Sequence, residues 1–182
     1  MTHHRAALCL PVLAGVLLAA CSSPATYGPP LARVQIVPTG AATAAAMSPA
    51  GQLEFRQAEG VVYVSGRITG LKPNATHGFH IHEVGDCASE GMASRGHFNP
   101  AGKRHGMHGA GDAHAGDLPA LKADANGNAE LRFELKGVTL DVSPLGIIGR
   151  AVIVHRDPDD LKTQPTGNSG PRPGCGVIEA VR

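Results

Sequence analysis

Tryptophan is absent from the 182-residue chain and aromatic residues make up only 3% of it, which excludes a broad aromatic platform for stacking nucleic-acid bases. An excess of either charge is missing too. Lys+Arg is 16 and Asp+Glu is 15, so no polybasic surface for a phosphate backbone is expected. Nor is there an apolar run long enough to cross a membrane, for which a helix needs about 20 residues. The longest run, 6–20, has 15 residues and contains Pro11 and Gly15. What is plentiful is glycine (24) and proline (14), which favours many turns over long helices. Hydrophobic residues at 42% are enough for a core. Histidine numbers 10, and seven of these fall between positions 77 and 114, a concentration that points to metal chemistry.

Residues 1–20 have the pattern of a cleaved export signal: a short basic start ending at Arg5, the apolar run, then Cys21. A transmembrane anchor is the rival reading. Leu18-Ala-Ala-Cys21 resembles the lipobox of bacterial lipoproteins. The resemblance implies cleavage before Cys21 and acylation of its thiol, with each buried CH₂ of the lipid contributing about 0.8 kcal/mol to membrane attachment. Ordinary secretion with a free Cys21 is the alternative. No Asp follows Cys21, so the outer membrane is favoured over the inner one. Residues 21–33 read as the lipidated terminus and a partly extended linker. Loss of the leader removes one cation, Arg5, leaving 15 basic against 15 acidic residues and a formal charge of zero.

Cys9 leaves with the leader and Cys21 takes lipid, so Cys87 and Cys175 remain, in an oxidising setting that favours a disulfide. Closing a loop of this length is worth about 4–5 kcal/mol on chain-entropy grounds. Two unpaired buried thiols are the other reading.

Short strand-like runs recur at 31–37, 51–57, 61–69, 76–82, 129–135, 150–155 and 176–181. Asp124-Ala-Asn-Gly127 is a turn signal between two of them. Residues 41–46 are alanine-rich but too few for an independent helix. Many short strands with Gly/Pro turns indicate an all-β antiparallel sandwich or barrel. Two stretches, 83–118 and 156–174, have little strand character, and loops of that length in a compact domain are usually functional.

His80 and His82 close one strand-like run, and residues i and i+2 share a face of a strand, so both imidazoles can reach one ion. His97, His105, His114 and Asp117 follow in the first long loop. Three imidazoles and a carboxylate suit tetrahedral Zn²⁺. His155 ends another run and is placed to join His80 and His82 in an all-imidazole site of the kind that holds copper.

Four segments make the pattern specific: Gly78-Phe-His-Ile-His-Glu-Val-Gly-Asp-Cys87, Gly96-His-Phe-Asn-Pro100, His114-Ala-Gly-Asp-Leu-Pro119 and Gly167-Asn-Ser-Gly-Pro-Arg-Pro-Gly-Cys-Gly176. Together they resemble the copper/zinc superoxide dismutases. The resemblance spans 34–182, and His114-x-Gly-Asp-Leu-Pro with the segment 159–168 resembles the bacterial, periplasmic branch. It implies an eight-stranded antiparallel Greek-key barrel with two long active-site loops. It implies copper on His80, His82, His97 and His155, and zinc on His97, His105, His114 and Asp117, with His97 shared. Asp159 matches the family's carboxylate that links a copper-bound and a zinc-bound histidine, here His80 and His105. Arg172 matches the arginine beside copper, and Cys87 and Cys175 match the family's disulfide.

The implied activity converts two superoxide anions and two protons to O₂ and H₂O₂ in the bacterial periplasm, with no nucleic-acid partner, membrane contact only through Cys21, and either a monomer or a homodimer. The rival is a lipid-tethered copper/zinc binding protein without catalysis. His77 and His108 match no ligand and are expected to be polar surface or loop residues. Arg95 stands where the family commonly has a small residue, which leaves the packing of its loop open, and Arg172 lies between Pro171 and Pro173.

Overall fold

Period-two alternation builds the sheet. In β1 (Ala32–Pro38), Ala32, Val34 and Ile36 are buried while Arg33, Gln35 and Val37 face out. A five-residue helix α1 (Ala41–Ala45) follows, then β2 (Ala50–Ala58) and β3 (Val61–Thr69), which send Leu53, Phe55, Val62, Val64 and Ile68 inward. The remaining strands are β4 (Thr76–His77), β5 (Phe79–His82), β6 (Leu121–Lys122), β7 (Ala129–Lys136), β8 (Ala151–Val154) and β9 (Gly174–Ala180). This computed structural model describes Met1 and residues 28–182. The expected leader beyond Met1, and Cys21 with it, lie outside the described residues. No helix among the described residues is long and apolar enough to cross a membrane.

Seven strands form one antiparallel sheet in the order β5-β8-β9-β1-β2-β3-β7, and β4 pairs with β6. The non-consecutive neighbours β1·β9, β3·β7 and β5·β8 are the crossovers of a Greek key. The run expected at 76–82 is bent at Gly78 into β4 and β5. Its β5 half lies at one edge of the sheet, and its β4 half pairs with β6, which packs beside β7 at the other edge. One bent strand therefore spans the gap and closes the barrel. Counted as one, β4 and β5 bring the strands to the expected eight.

The sequence reading omitted β6, whose two residues carry no periodicity. Residues 41–45 are helical for one turn because packing holds them: Ala41, Ala42 and Ala45 are buried, as a helix this short requires.

The main core cluster includes Phe55, Phe79, Ile81, Leu121, Ile147, Val152, Val154 and Ile178. β5 and β8 are buried on both faces. Phe79 and Ile81 join this core. The alternate residues His80, His82, Ala151 and Ile153, paired in register, face the other way, where Ala151 and Ile153 pack with Cys175 and Cys87.

The first long loop covers that outer face by running back along β5. Phe98 N–H donates to Ile81 O (2.8 Å), Ile81 N–H to Gly116 O (2.9 Å) and Glu83 N–H to Gly96 O (3.0 Å). Gly116 is needed for this approach, because a Cβ there would collide with the Ile81 carbonyl. Cys87 and Cys175 are bonded, with Cα atoms 5.8 Å apart, joining the first loop to β9.

Candidate metal centre

Two groups of four side chains converge, and one residue belongs to both. His80, His82, His97 and His155 offer ligand atoms that all lie within 4.8 Å of one another, and so do His97, His105, His114 and Asp117. Every one of these residues is buried.

Each ring of the first group has one nitrogen committed and one bare. His80 Nε2 lies 2.7 Å from Asp159 Oδ2. His82 Nδ1–H donates to Arg95 O at 2.8 Å, and His155 Nδ1–H donates to Gly170 O at 3.2 Å. His97 Nδ1 lies 2.8 Å from Asp117 Oδ1. The opposite nitrogens, His80 Nδ1 and the Nε2 atoms of His82, His97 and His155, are buried without a hydrogen-bond partner. Buried polar atoms are normally satisfied. Four orphaned lone pairs in one cluster are what a bound cation would satisfy, and an all-nitrogen set suits copper.

In the second group three ring nitrogens surround Asp117 Oδ1: His97 Nδ1 at 2.8 Å, His105 Nδ1 at 3.0 Å and His114 Nδ1 at 3.4 Å. Asp117 Oδ2 is occupied by the N–H groups of Gly106 (3.0 Å) and His114 (3.1 Å), so Oδ1 is the oxygen presented. The N₃O set fits Zn²⁺. His97 turns Nδ1 to this group and Nε2 to the other.

Asp159 ties the groups together from behind. One oxygen meets His80 Nε2, and the other lies 2.9 Å from His105 Nε2. Gly167 (φ 66°) makes room for this contact, since a Cβ there would collide with Asp159 Oδ1 and His105 Nε2. Such outer hydrogen bonds fix ring orientation and tautomer.

Burial, helped by neighbouring imidazoles, holds His80 and His82 well below the usual histidine range. Burial lowers His155 to about 3 and also lowers His114. His105 is raised: burial opposes its charge, but the Asp159 hydrogen bond and the Asp117 and Asp159 carboxylates outweigh it. Burial would raise Asp117, but its bonds to His97 and Gly106 hold it low. The buried imidazoles His80, His82 and His155 are thus neutral at pH 7, the state that can bind a metal.

The structure therefore brings together all seven sequence-predicted ligands. Arg172 Nη1–H donates to Gly91 O and Ser94 Oγ, both at 3.0 Å, and the guanidinium's charge depresses both His82 and His155. It forms no ion pair with a carboxylate among the described residues.

His77 is a correction. Expected to be a polar surface or loop residue, it lies in β4 and is 0% exposed, because the bend at Gly78 lays its ring against the chain that carries His155. Its Nδ1–H donates to the carbonyls of His155 (3.1 Å) and Arg156 (2.8 Å), which keeps a polar ring inside. His108 is a half-buried loop residue between the carbonyls of Asp117 and Glu134, 2.9 and 3.0 Å from its two nitrogens. Neither belongs to a metal group. Sequence reasoning missed Ser94 and Gln164, whose partners are remote in the chain.

With this geometry in place, the comparisons with known proteins decide the family. The model of copper/zinc superoxide dismutase (SODC) matches residues 49–178. The chain belongs to the copper/zinc superoxide dismutase family. It is 43% identical over 135 residues to Superoxide dismutase [Cu-Zn] 3 of Arabidopsis thaliana, covering 70% of this chain and 81% of that one. It is 42% identical over 134 residues to Superoxide dismutase [Cu-Zn] of Paramecium bursaria Chlorella virus 1, covering 70% and 71%. Among solved structures it resembles the clock protein EA4, with a TM-score of 0.71 at 35% identity over 87% of this chain and 100% of that one. It also resembles a double mutant of a superoxide-dismutase-like protein from Bacillus subtilis, with a TM-score of 0.69 at 35% identity over 81% and 96%. With both ligand sets complete, the activity of the chain is superoxide dismutation at paired copper and zinc sites.

Proposed function

We propose that the chain removes superoxide in a bacterial cell envelope, as a periplasmic enzyme tethered by lipid on Cys21. The leader over 1–20 and the sequence Leu18-Ala-Ala-Cys21 support this, and the bonded pair Cys87–Cys175 suits an oxidising compartment. The linker 21–33 then joins the lipid to a catalytic domain over 34–182, with the outer membrane as the favoured site.

Two superoxide anions and two protons yield O₂ and H₂O₂. Copper held by His80, His82, His97 and His155 supplies a one-electron redox couple, which zinc on His97, His105, His114 and Asp117 does not. The protein's own groups do the rest. His97 Nε2 takes up a proton and releases it to the departing peroxide, while Nδ1 stays directed at Asp117 Oδ1. Asp159 keeps the His80 and His105 rings in register while this proton moves.

Arg172 captures the anion. Only its Nη1 is engaged by protein among the described residues, so Nη2 and Nε remain for the substrate. A mature chain with 15 basic and 15 acidic residues cannot attract superoxide in bulk, so capture relies on local positive potential, which raises association rates by about 10–10³.

The observation that carries the reading is His97, with one nitrogen in each ligand group. Its test is metal reconstitution of the full chain. Removing copper should abolish superoxide loss, and copper but not zinc should restore it. Full activity with zinc alone overturns the mechanism, and two bound ions without superoxide loss would favour the rival metal-binding protein. For the envelope assignment, mass measurement of the mature amino terminus should find acylated Cys21; a free thiol there ends the lipoprotein part.

A further inference from the structure

Ser94 is 0% exposed and ends the 3-10 turn Met92–Ser94, which leads into His97. Its hydroxyl meets three groups. Oγ–H donates to Gly91 O at 2.7 Å. Arg172 Nη1–H donates to Oγ at 3.0 Å. His82 Nδ1 lies 3.3 Å from Oγ, sharing its N–H between Ser94 and the closer Arg95 carbonyl. A hydroxyl has one proton to give and two lone pairs to accept with, so all three capacities are used.

Arg172 Nη1 also donates to Gly91 O, which closes a triangle of Nη1, Ser94 Oγ and Gly91 O. The other end of Arg172 is held as well: its carbonyl accepts from Thr39 Oγ1 at 2.7 Å, and Pro171 and Pro173 flank it. Fixing both the backbone and one edge of the guanidinium leaves its remaining N–H groups aimed in one direction. Without Ser94 a single carbonyl would hold that edge, and the long side chain would regain rotamer freedom. The same hydroxyl reaches His82, so the orientation of Arg172 is tied to the copper group rather than only to the loop.

We propose that Ser94 is a positioning residue, orienting the Arg172 guanidinium toward the anion and coupling it to the copper ligand His82. This rests on the reading of Arg172 as the anion-capturing group.

The test is a double-mutant cycle on the metal-loaded full chain, with Ser94→Ala, Arg172→Ile and the double variant. Two readouts are taken: the superoxide rate constant, and the affinity for azide, an inert anionic probe, followed by the copper absorption spectrum. Metal content and a cooperative thermal melt check that each variant is folded. Ser94→Ala should retain both ions yet lower rate and azide affinity about three- to tenfold, through misorientation of a retained charge. Arg172→Ile should lower both about tenfold or more, and the double variant should match Arg172→Ile within about twofold. A role confined to bracing the loop predicts instead a lower melting temperature with unchanged azide affinity.

Ser94→Ala at wild-type rate and azide affinity, with Arg172→Ile impaired, overturns the Ser94 proposal alone. So does a double variant that falls below Arg172→Ile by the full Ser94→Ala factor, because Ser94 would then act without Arg172. If Arg172→Ile itself behaves as wild type, the reading beneath it fails and Ser94 goes with it.

Discussion

The side-chain amide of Gln164 grips the backbone of His105 on both sides: Oε1 accepts from His105 N–H at 2.8 Å, and Nε2–H donates to His105 O at 2.9 Å. The second long loop thus holds a residue of the first in the way a neighbouring β-strand would. Gln164→Ala should leave the copper group intact and weaken zinc, because groups that hold a ligand in place are typically worth 10–100-fold in metal affinity. Competition against a zinc chelator measures it. Unchanged zinc affinity would show that the grip carries no load.

His97 and His114 should separate cleanly. His97→Ala should disturb both ions, since its two nitrogens face different groups. His114→Ala should mainly weaken zinc and loosen the first loop. Metal analysis with the copper absorption spectrum distinguishes them. A His97→Ala protein that kept both ions and the native spectrum would remove the shared assignment.

Arg95 has φ 63° and ψ −141°, a region open to glycine and costly for a residue with a Cβ, by about 1–3 kcal/mol. Its carbonyl, not its side chain, accepts from His82. Arg95→Gly should therefore raise stability by about 1 kcal/mol with copper content unchanged. Arg95→Ala keeps the strain and should gain nothing, and urea midpoints would compare the two. Equal gains for glycine and alanine would locate the effect in the guanidinium instead.

Metal-free protein should weaken in acid. His80, His82 and His155 are buried neutral, the last with a folded-state value of about 3. In the unfolded chain such histidines protonate near ~6.5. Below that pH the unfolded state binds more protons, so stability is full above it and declines as pH falls toward the folded values. His105 runs the other way, because its raised value adds stability below the unfolded value that is lost as pH rises through the folded one. His114 is lowered as well, so four groups oppose one, and the urea midpoint of the metal-free protein should drop between pH 7 and pH 5. A flat profile would mean that water reaches these rings.

The ligand set was legible because its geometry is local. Strand parity places His80 and His82 on one face, and a loop folding back on β5 needs only its own residues to bring His97 and Asp117 beside them. Their partner His155 was placed by its position at the end of the strand-like run 150–155, one residue past β8. What could not be read are contacts between the two loops. Ser94 meets Arg172 across 78 residues, and Gln164 meets His105 across 59. No spacing rule links positions that distant, and serine or glutamine in a loop looks like ordinary solvated surface. The burial of His77 was hidden for a related reason: it follows from a bend at Gly78, which a run of strand-forming residues conceals. β6 escaped because two residues carry no period, although the Asp124 turn beside it was visible and is built by Asp124 Oδ1 accepting from the N–H groups of Asn126 and Asn128.

The Cys87–Cys175 bond makes the chain between them a covalent ring. Inside the ring lies the outward segment around Val142 (84% exposed) and Leu145 (47% exposed), the kind of site where proteases nick folded domains. A cut there would divide the ligands between two pieces, with His155, Asp159 and Arg172 on the later one and the other six ligands on the earlier. The pieces would still be one molecule, each anchored by a cysteine at or beside a metal-bearing loop. A nicked chain would therefore migrate intact without reductant and as two fragments with it, and reassembly after unfolding would be intramolecular rather than a search between separate chains.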